Sequence, residues 1–146
     1  MWRRKIGIRP RDFIGLGLSN GKLQLIYTDT DVKEVNIEHE DWFQSVESRD
    51  RVDDGMWHTA TLRRRKRLAM LQVDDLPPVR GYSQSLLVPS KANPKLWIGG
   101  SPSLPLGLPE SLYTGLRGCI ASVKANGRHL DITSPIRPTT AIRYCG

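Results

Sequence analysis

The stretch from Asp12 to Asp31, DFIGLGLSNGKLQLIYTDTD, decides how the chain is to be read. Ile14, Leu16 and Leu18 alternate with small or polar residues, and Leu23, Leu25 and Tyr27 resume the same alternation after Asn20-Gly21. A period of two puts alternate side chains on one face of a strand. Asn and Gly tolerate the positive φ that a tight two-residue turn demands, so this pair between two alternating runs predicts a β-hairpin. With Asn20 and Gly21 as the loop, Ile14 faces Tyr27, and further along the same pairing Asp12 faces Asp29, with Asp31 just beyond. Facing carboxylates repel unless a cation such as Arg11, solvent or a metal ion intervenes. Oxygen ligands of this kind suit calcium; the plainer reading has Asp12 and Asp29 simply ending two strands at a wet rim.

Alternation recurs downstream in DGMWHTATLRRRKRLAMLQVD, residues 54–74. His58, Ala60 and Leu62 share one face of a strand, and Ala69, Leu71 and Val73 share one face of the next. A turn centred on Arg64 to Lys66 sets Ala60 opposite Leu71 and Leu62 opposite Ala69, with both small apolar rows facing the core. The basic run Arg63, Arg64, Arg65, Lys66 and Arg67 then forms a hairpin tip, which is either a polyanion contact or a solvated turn. No zinc spacing, recognition helix or interleaved aromatic platform accompanies it, so nucleic acid is not the expected partner. Trp57 and His58 read as packing and hydrogen-bonding residues, not catalysts.

Elsewhere the pattern is looser. Residues 30–53 are acidic and mixed, with a short alternating run at Val32 to Ile37 and then a surface loop carrying Trp42 and Phe43. LPPVRG at 76–81 reads as a breaker, KLWIGG at 95–100 as a strand ending in a glycine pair, and SPSLPLGLPES at 101–111 as a loop. GCIASVKANGRHLDI predicts a hairpin of Cys119 to Lys124 and Arg128 to Ile132 around Asn126-Gly127. At least seven strands emerge, which favours an antiparallel β-sandwich over a small open sheet.

The 146 residues suit one domain, and 22 Lys plus Arg against 15 Asp plus Glu give a formal charge of +7, attractive to polyanions. No apolar segment is long enough to cross a bilayer, so direct membrane insertion is not expected, and MWRRKIGIRP has no apolar signal-peptide core behind its basic residues. Cys119 and Cys145 leave two readings open. A bond between them would pin the end of the chain and contribute roughly 3 to 4 kcal/mol by loop closure, whereas two free buried thiols would suit a cytosolic protein. The sequence contains no CxxC, HExxH or GxSxG motif of a redox, zinc or hydrolytic site.

Taken in order, DFIGLGLSNGKLQLIY, DGMWHTATLRRRKRLAMLQVD, LWIGGSP, LRGCIASVKANGRHLDI and Cys145 resemble a laminin G-like domain of the agrin and perlecan type, over about residues 11–145. The resemblance implies an all-β, antiparallel, jelly-roll-like (concanavalin A-like) sandwich from a secreted or cell-surface protein, with Cys119 and Cys145 disulfide-bonded. It also implies a module that is not an enzyme, one that binds glycans, receptors and matrix proteins, often around calcium at one rim. The family's first strands, which would precede Asp12, are replaced by a basic leader over residues 1–10, so the sandwich is expected to be N-terminally incomplete, with uncovered core. The implied calcium site is partly lost. Asp12 falls where the family places its first ligand carboxylate and Asp29 where it offers a carbonyl, but Lys91 stands near the family's Asp or Asn, close to the carbonyl position at Pro89. Lysine supplies no oxygen, and Asn93 substitutes only if the loop shifts, so calcium is expected to be absent or weakly bound. The leading function is an extracellular binding module for sulfated glycans or receptor proteins; the alternative is an architectural matrix domain with no specific ligand.

Overall fold

The computed structural model describes residues 14–28, 43–83, 108–113 and 116–132, together with Cys145. Asp12, Asp29, Lys91, Trp42, the leader at 1–10 and the runs at Val32 to Ile37 and 95–100 lie outside the described residues. Strands β1 (Ile14–Ser19) and β2 (Lys22–Thr28) form the first hairpin, with Ile14 opposite Tyr27 and Ser19 opposite Lys22. Asn20 and Gly21 take φ of 53° and 80°, as the turn requires. Strand β3 (Phe43–Glu47) pairs with the other side of β2. It lies where a surface loop was expected, because it carries few apolar side chains: Val46 packs on the core between the sheets and Phe43 on Ile26, while Gln44, Ser45 and Glu47 stay exposed.

A second sheet is built from β4 (Ala60–Arg65), β5 (Leu68–Val73) and β6 (Val79–Tyr82), all antiparallel. Strand β6 begins directly after Pro77 and Pro78, so the segment read as a breaker is a turn followed by a short strand that pairs with β5. Helix α1 (Glu110–Tyr113) falls at the end of the predicted proline-rich loop, and the hairpin of β7 (Val123–Ala125) and β8 (Arg128–Leu130) closes around Asn126-Gly127 as predicted. The described residues are thus all-β apart from one helical turn, in three small antiparallel sheets.

The first two sheets meet through their inward rows. Leu25 and Tyr27 of β2 pack on Ala69 and Leu71 of β5, flanked by Leu23, Val46 and Val79. Each fully buried large apolar side chain here contributes about 1.5–3 kcal/mol through removal from water. On the opposite face of the first sheet, Ile26 packs with Leu108, Phe43 and Leu112, so α1 and its approach cover that side. The outer strand β1 shares the inward face of β2, yet Ile14, Leu16 and Leu18 remain 43%, 37% and 37% exposed.

One buried polar group knits β2 to the chain beyond β3. The Ser48 hydroxyl accepts the Leu23 amide at 3.0 Å and donates to the Asp50 carbonyl at 2.9 Å, while the Val52 amide donates to the Gly21 carbonyl at 2.7 Å. Across the sheets, Tyr27 sets a tighter constraint. A Cβ on Gly81 would run into the Tyr27 hydroxyl and stand 2.9 Å from Val46 Cγ1. Gly81→Ala is therefore expected to destabilise the fold by about 1–3 kcal/mol through overpacking, measured by denaturant unfolding; an unchanged midpoint would show that the sheets are not seated on each other as described. Cys119 and Cys145 form a disulfide across a separation of 26 residues. Replacing both by Ser should cost roughly 3 to 4 kcal/mol in the same measurement, against no loss if the bridge is dispensable.

Candidate binding surface at the basic hairpin

The β4–β5 register differs from expectation by two residues along β5. Ala60 faces Val73, Leu62 faces Leu71 and Arg64 faces Ala69, with Lys66 and Arg67 alone forming the loop. Ala60 and Leu62 do share the core face with Ala69 and Leu71, but they sit at the open margin, where Leu62 is 36% exposed. The tighter turn is possible because Lys66 takes a left-handed backbone, φ 52°, which its residue type does not advertise. With the turn moved to Lys66 and Arg67, Arg64 stays in the strand, opposite Ala69 in the inward row.

Arg64 is accordingly not part of a solvated tip. Its guanidinium lies 5.0 Å from the centroid of the buried Tyr27 ring, and its Nη1 donates to the Arg67 carbonyl at 3.2 Å. A cation over an aromatic face contributes about 0.5–2 kcal/mol, more as it is desolvated. The same Arg67 carbonyl accepts the amide of Ser83 at 2.8 Å, which fastens the turn to the end of β6. Arg63 and Arg65, one step out of phase with Arg64, lie on the outer face of the sheet and are exposed, as are Lys66 and Arg67.

A different cluster occupies the other end of β4. His58 is flanked by two carboxylates, its Nδ1 2.8 Å from Asp74 Oδ2 and its Nε2 2.8 Å from Asp54 Oδ1. Asp74 Oδ1 also accepts the Thr59 amide at 2.9 Å, and Asp54 Oδ1 accepts the Met56 amide at 3.0 Å. These bonds fold residues 54–59 into a loop that leaves Trp57 69% and Met56 71% exposed, so the packing role expected for Trp57 does not hold. The hydrogen-bonding role expected for His58 does. Its partners are legible only in retrospect, from an Asp four residues before it and another just past the following strand.

Among the described residues there is no grouping of three or more His, Cys, Asp or Glu fit to hold a metal ion. Asp12 and Asp29 lie outside those residues, so nothing in this geometry bears on calcium there.

The chain matches the laminin G domain over residues 5–128. It belongs to the laminin G domain family. A basement membrane proteoglycan of Caenorhabditis elegans is 28% identical over 134 residues, covering 92% of this chain and 4% of that protein. The human protein pikachurin is 32% identical over 88 residues, 60% of this chain and 9% of its own length. The mouse basement membrane-specific heparan sulfate proteoglycan core protein is 29% identical over 119 residues, 79% of this chain and 3% of its own. The chain thus spans less than a tenth of each of these relatives. No solved structure matches it significantly. A laminin G domain is a non-catalytic module, and membership places this chain among extracellular, matrix-associated proteins.

The His58 cluster has a pH signature. Hydrogen bonds to Asp74 and then Asp54 raise the His58 pKa, since both ring nitrogens can donate only when the ring is protonated. The bond to His58, aided by a backbone amide in each case, lowers Asp54 and Asp74. The raised histidine stabilises the fold fully below its unfolded value of about 6.5, and that contribution is lost as pH rises through the folded value. The depressed carboxylates stabilise above about 3.9, and their contribution is lost as pH falls through their folded values. In the laminin G domain, thermal midpoints should therefore decline from pH 6 towards pH 9, and His58→Gln should flatten that decline. Parallel profiles for the two proteins would show that the cluster carries no pH-dependent stability.

Proposed function

We propose that this laminin G domain, completed as a jelly-roll-like sandwich, is a non-enzymatic extracellular module that binds sulfated glycans through the basic β4–β5 hairpin. The observation that supports this reading is the concentration of Arg63, Arg65, Lys66 and Arg67 at one end of the second sheet, all exposed and, among the described residues, in none of its ion pairs. Guanidinium groups offer paired donors to sulfate and hold it in two-pronged fashion, which an ammonium group does not. A receptor protein with an acidic surface would use the same attraction without the sulfate-specific fork. The architectural alternative has its own support in Arg64, which shows that a basic residue of this run can serve the fold instead of a ligand.

Retention on immobilised heparin under a rising salt gradient tests the proposal. A triple Ser replacement of Arg63, Lys66 and Arg67 should elute at clearly lower salt than a triple replacement of the equally exposed Arg49, Arg117 and Arg128, because only the first removes a local site. Equal losses would reduce the interaction to net charge. No retention of the unaltered domain at physiological salt would favour the architectural reading.

A further inference from the structure

Strand register brings basic residues together that the sequence keeps apart. Met70 of β5 pairs with Arg63 of β4 on one side and with Arg80 of β6 on the other, so these three residues form one row across the sheet. The next row joins Arg65, Leu68 and Tyr82, and the preceding one begins with Thr61 and Gln72. Residues paired across antiparallel strands project to the same face, and this is the face opposite the Ala69 and Leu71 core. Arg63, Arg65, Arg80 and Tyr82 are all exposed, Tyr82 at 64%, and they flank Met70, which is itself buried at 7% exposure, so a ligand on this face meets the flanking side chains and not Met70. The three rows contain no carboxylate. At ordinary strand spacings, the backbone positions of Arg63 and Arg80 are about 10 Å apart and those of Arg63 and Arg65 about 7 Å. Arg64, the second residue of the run, is withheld from this surface by Tyr27 and the Arg67 carbonyl.

We propose that the sulfated glycan lies across the outer face of the β4–β5–β6 sheet, held by Arg63, Arg65 and Arg80 with its sugar rings against Tyr82, and not at the hairpin tip. The proposal rests on the glycan-binding reading above and adds to it two residues, Arg80 and Tyr82, that stand outside the basic run. Charge selects the class of ligand: three guanidinium groups in rows that hold no carboxylate suit a chain with several anionic groups, not a single one. A flat phenol ring at the margin offers apolar surface to a sugar ring while its hydroxyl stays wet. The spread of arginines over two strands distinguishes this surface from a tip, where Lys66 and Arg67 would dominate.

Heparin affinity of the full chain, secreted with its disulfide formed, separates these placements. Arg80→Gln should weaken binding about two- to fivefold, the range for one exposed ion pair, and as much as Arg63→Gln does, whereas Lys66→Gln should matter less. Arg80→Lys keeps the charge and loses the fork, so it should fall between Arg80→Gln and the unaltered chain. Tyr82→Ala should weaken binding without changing its salt dependence. Circular dichroism and the thermal midpoint of each variant show that the sheet persists. The proposal is overturned if Arg80→Gln binds like the unaltered chain while Lys66→Gln and Arg67→Gln lose affinity, a result that would leave the glycan-binding reading standing and move the site to the tip. Competition by polyglutamate as effective as by heparin would also overturn it, by making an acidic protein the occupant. Absence of any heparin binding by the unaltered chain would overturn both readings together.

Discussion

Tyr27 is the residue on which the arrangement depends. Its ring is buried between the sheets, its hydroxyl fills the space left by the missing side chain of Gly81, and its face receives the Arg64 guanidinium. Three strands are thereby fixed to one side chain: β2 supplies it, β6 makes room for it and β4 covers it. The aromatic ring is what allows an arginine to face the interior at all, since a cation turned towards aliphatic side chains alone would lose its hydration with nothing in return. The basic run thus belongs partly to the core, and its remaining members are positioned by the one that turns inward.

The two ends of β4 have opposite electrostatic character. One end carries Arg63, Arg65, Lys66 and Arg67; at the other, Asp54 and Asp74 enclose His58, with Asp53 held low by its bond to Arg51 beside the Asn20-Gly21 turn. Positive charge is therefore concentrated at one end of the strand, while at the other the carboxylates are paired with His58 and Arg51. The acidic end is internally satisfied by hydrogen bonds, whereas the basic end presents its donors to solvent.

How much of this could be read from residue types follows from what each turn demands. Asn20-Gly21 and Asn126-Gly127 announce positive φ, and both hairpins close in the register that those residues predict. Lys66 gives no such announcement, and the hairpin it turns is shifted by two residues from the expected register, which is why Arg64 lies in the strand facing inward instead of marking a tip. Strands β3 and β6 escape a reading by periodicity because each has few inward apolar residues, Val46 in one and Val79 in the other, beside acidic residues or prolines. The family resemblance anticipated the disulfide and the class of module, but no local pattern places Arg80 beside Arg63. That proximity arises only when β5 stands between their strands, and it is a property of the sheet.

The bridge between Cys119 and Cys145 also fixes a mechanical path through the molecule. A pull applied to the chain at Cys145 crosses the sulfur atoms to Cys119 and bypasses the intervening chain. The β7–β8 hairpin lies inside that closed loop and is not stretched end to end by such a pull. Load is delivered instead at Cys119, on the stretch that leads back through Gly118 and Arg117 towards α1 and the sheets. The covalent loop is thus a shunt: it limits how far the chain can lengthen before the packed sheets themselves must yield.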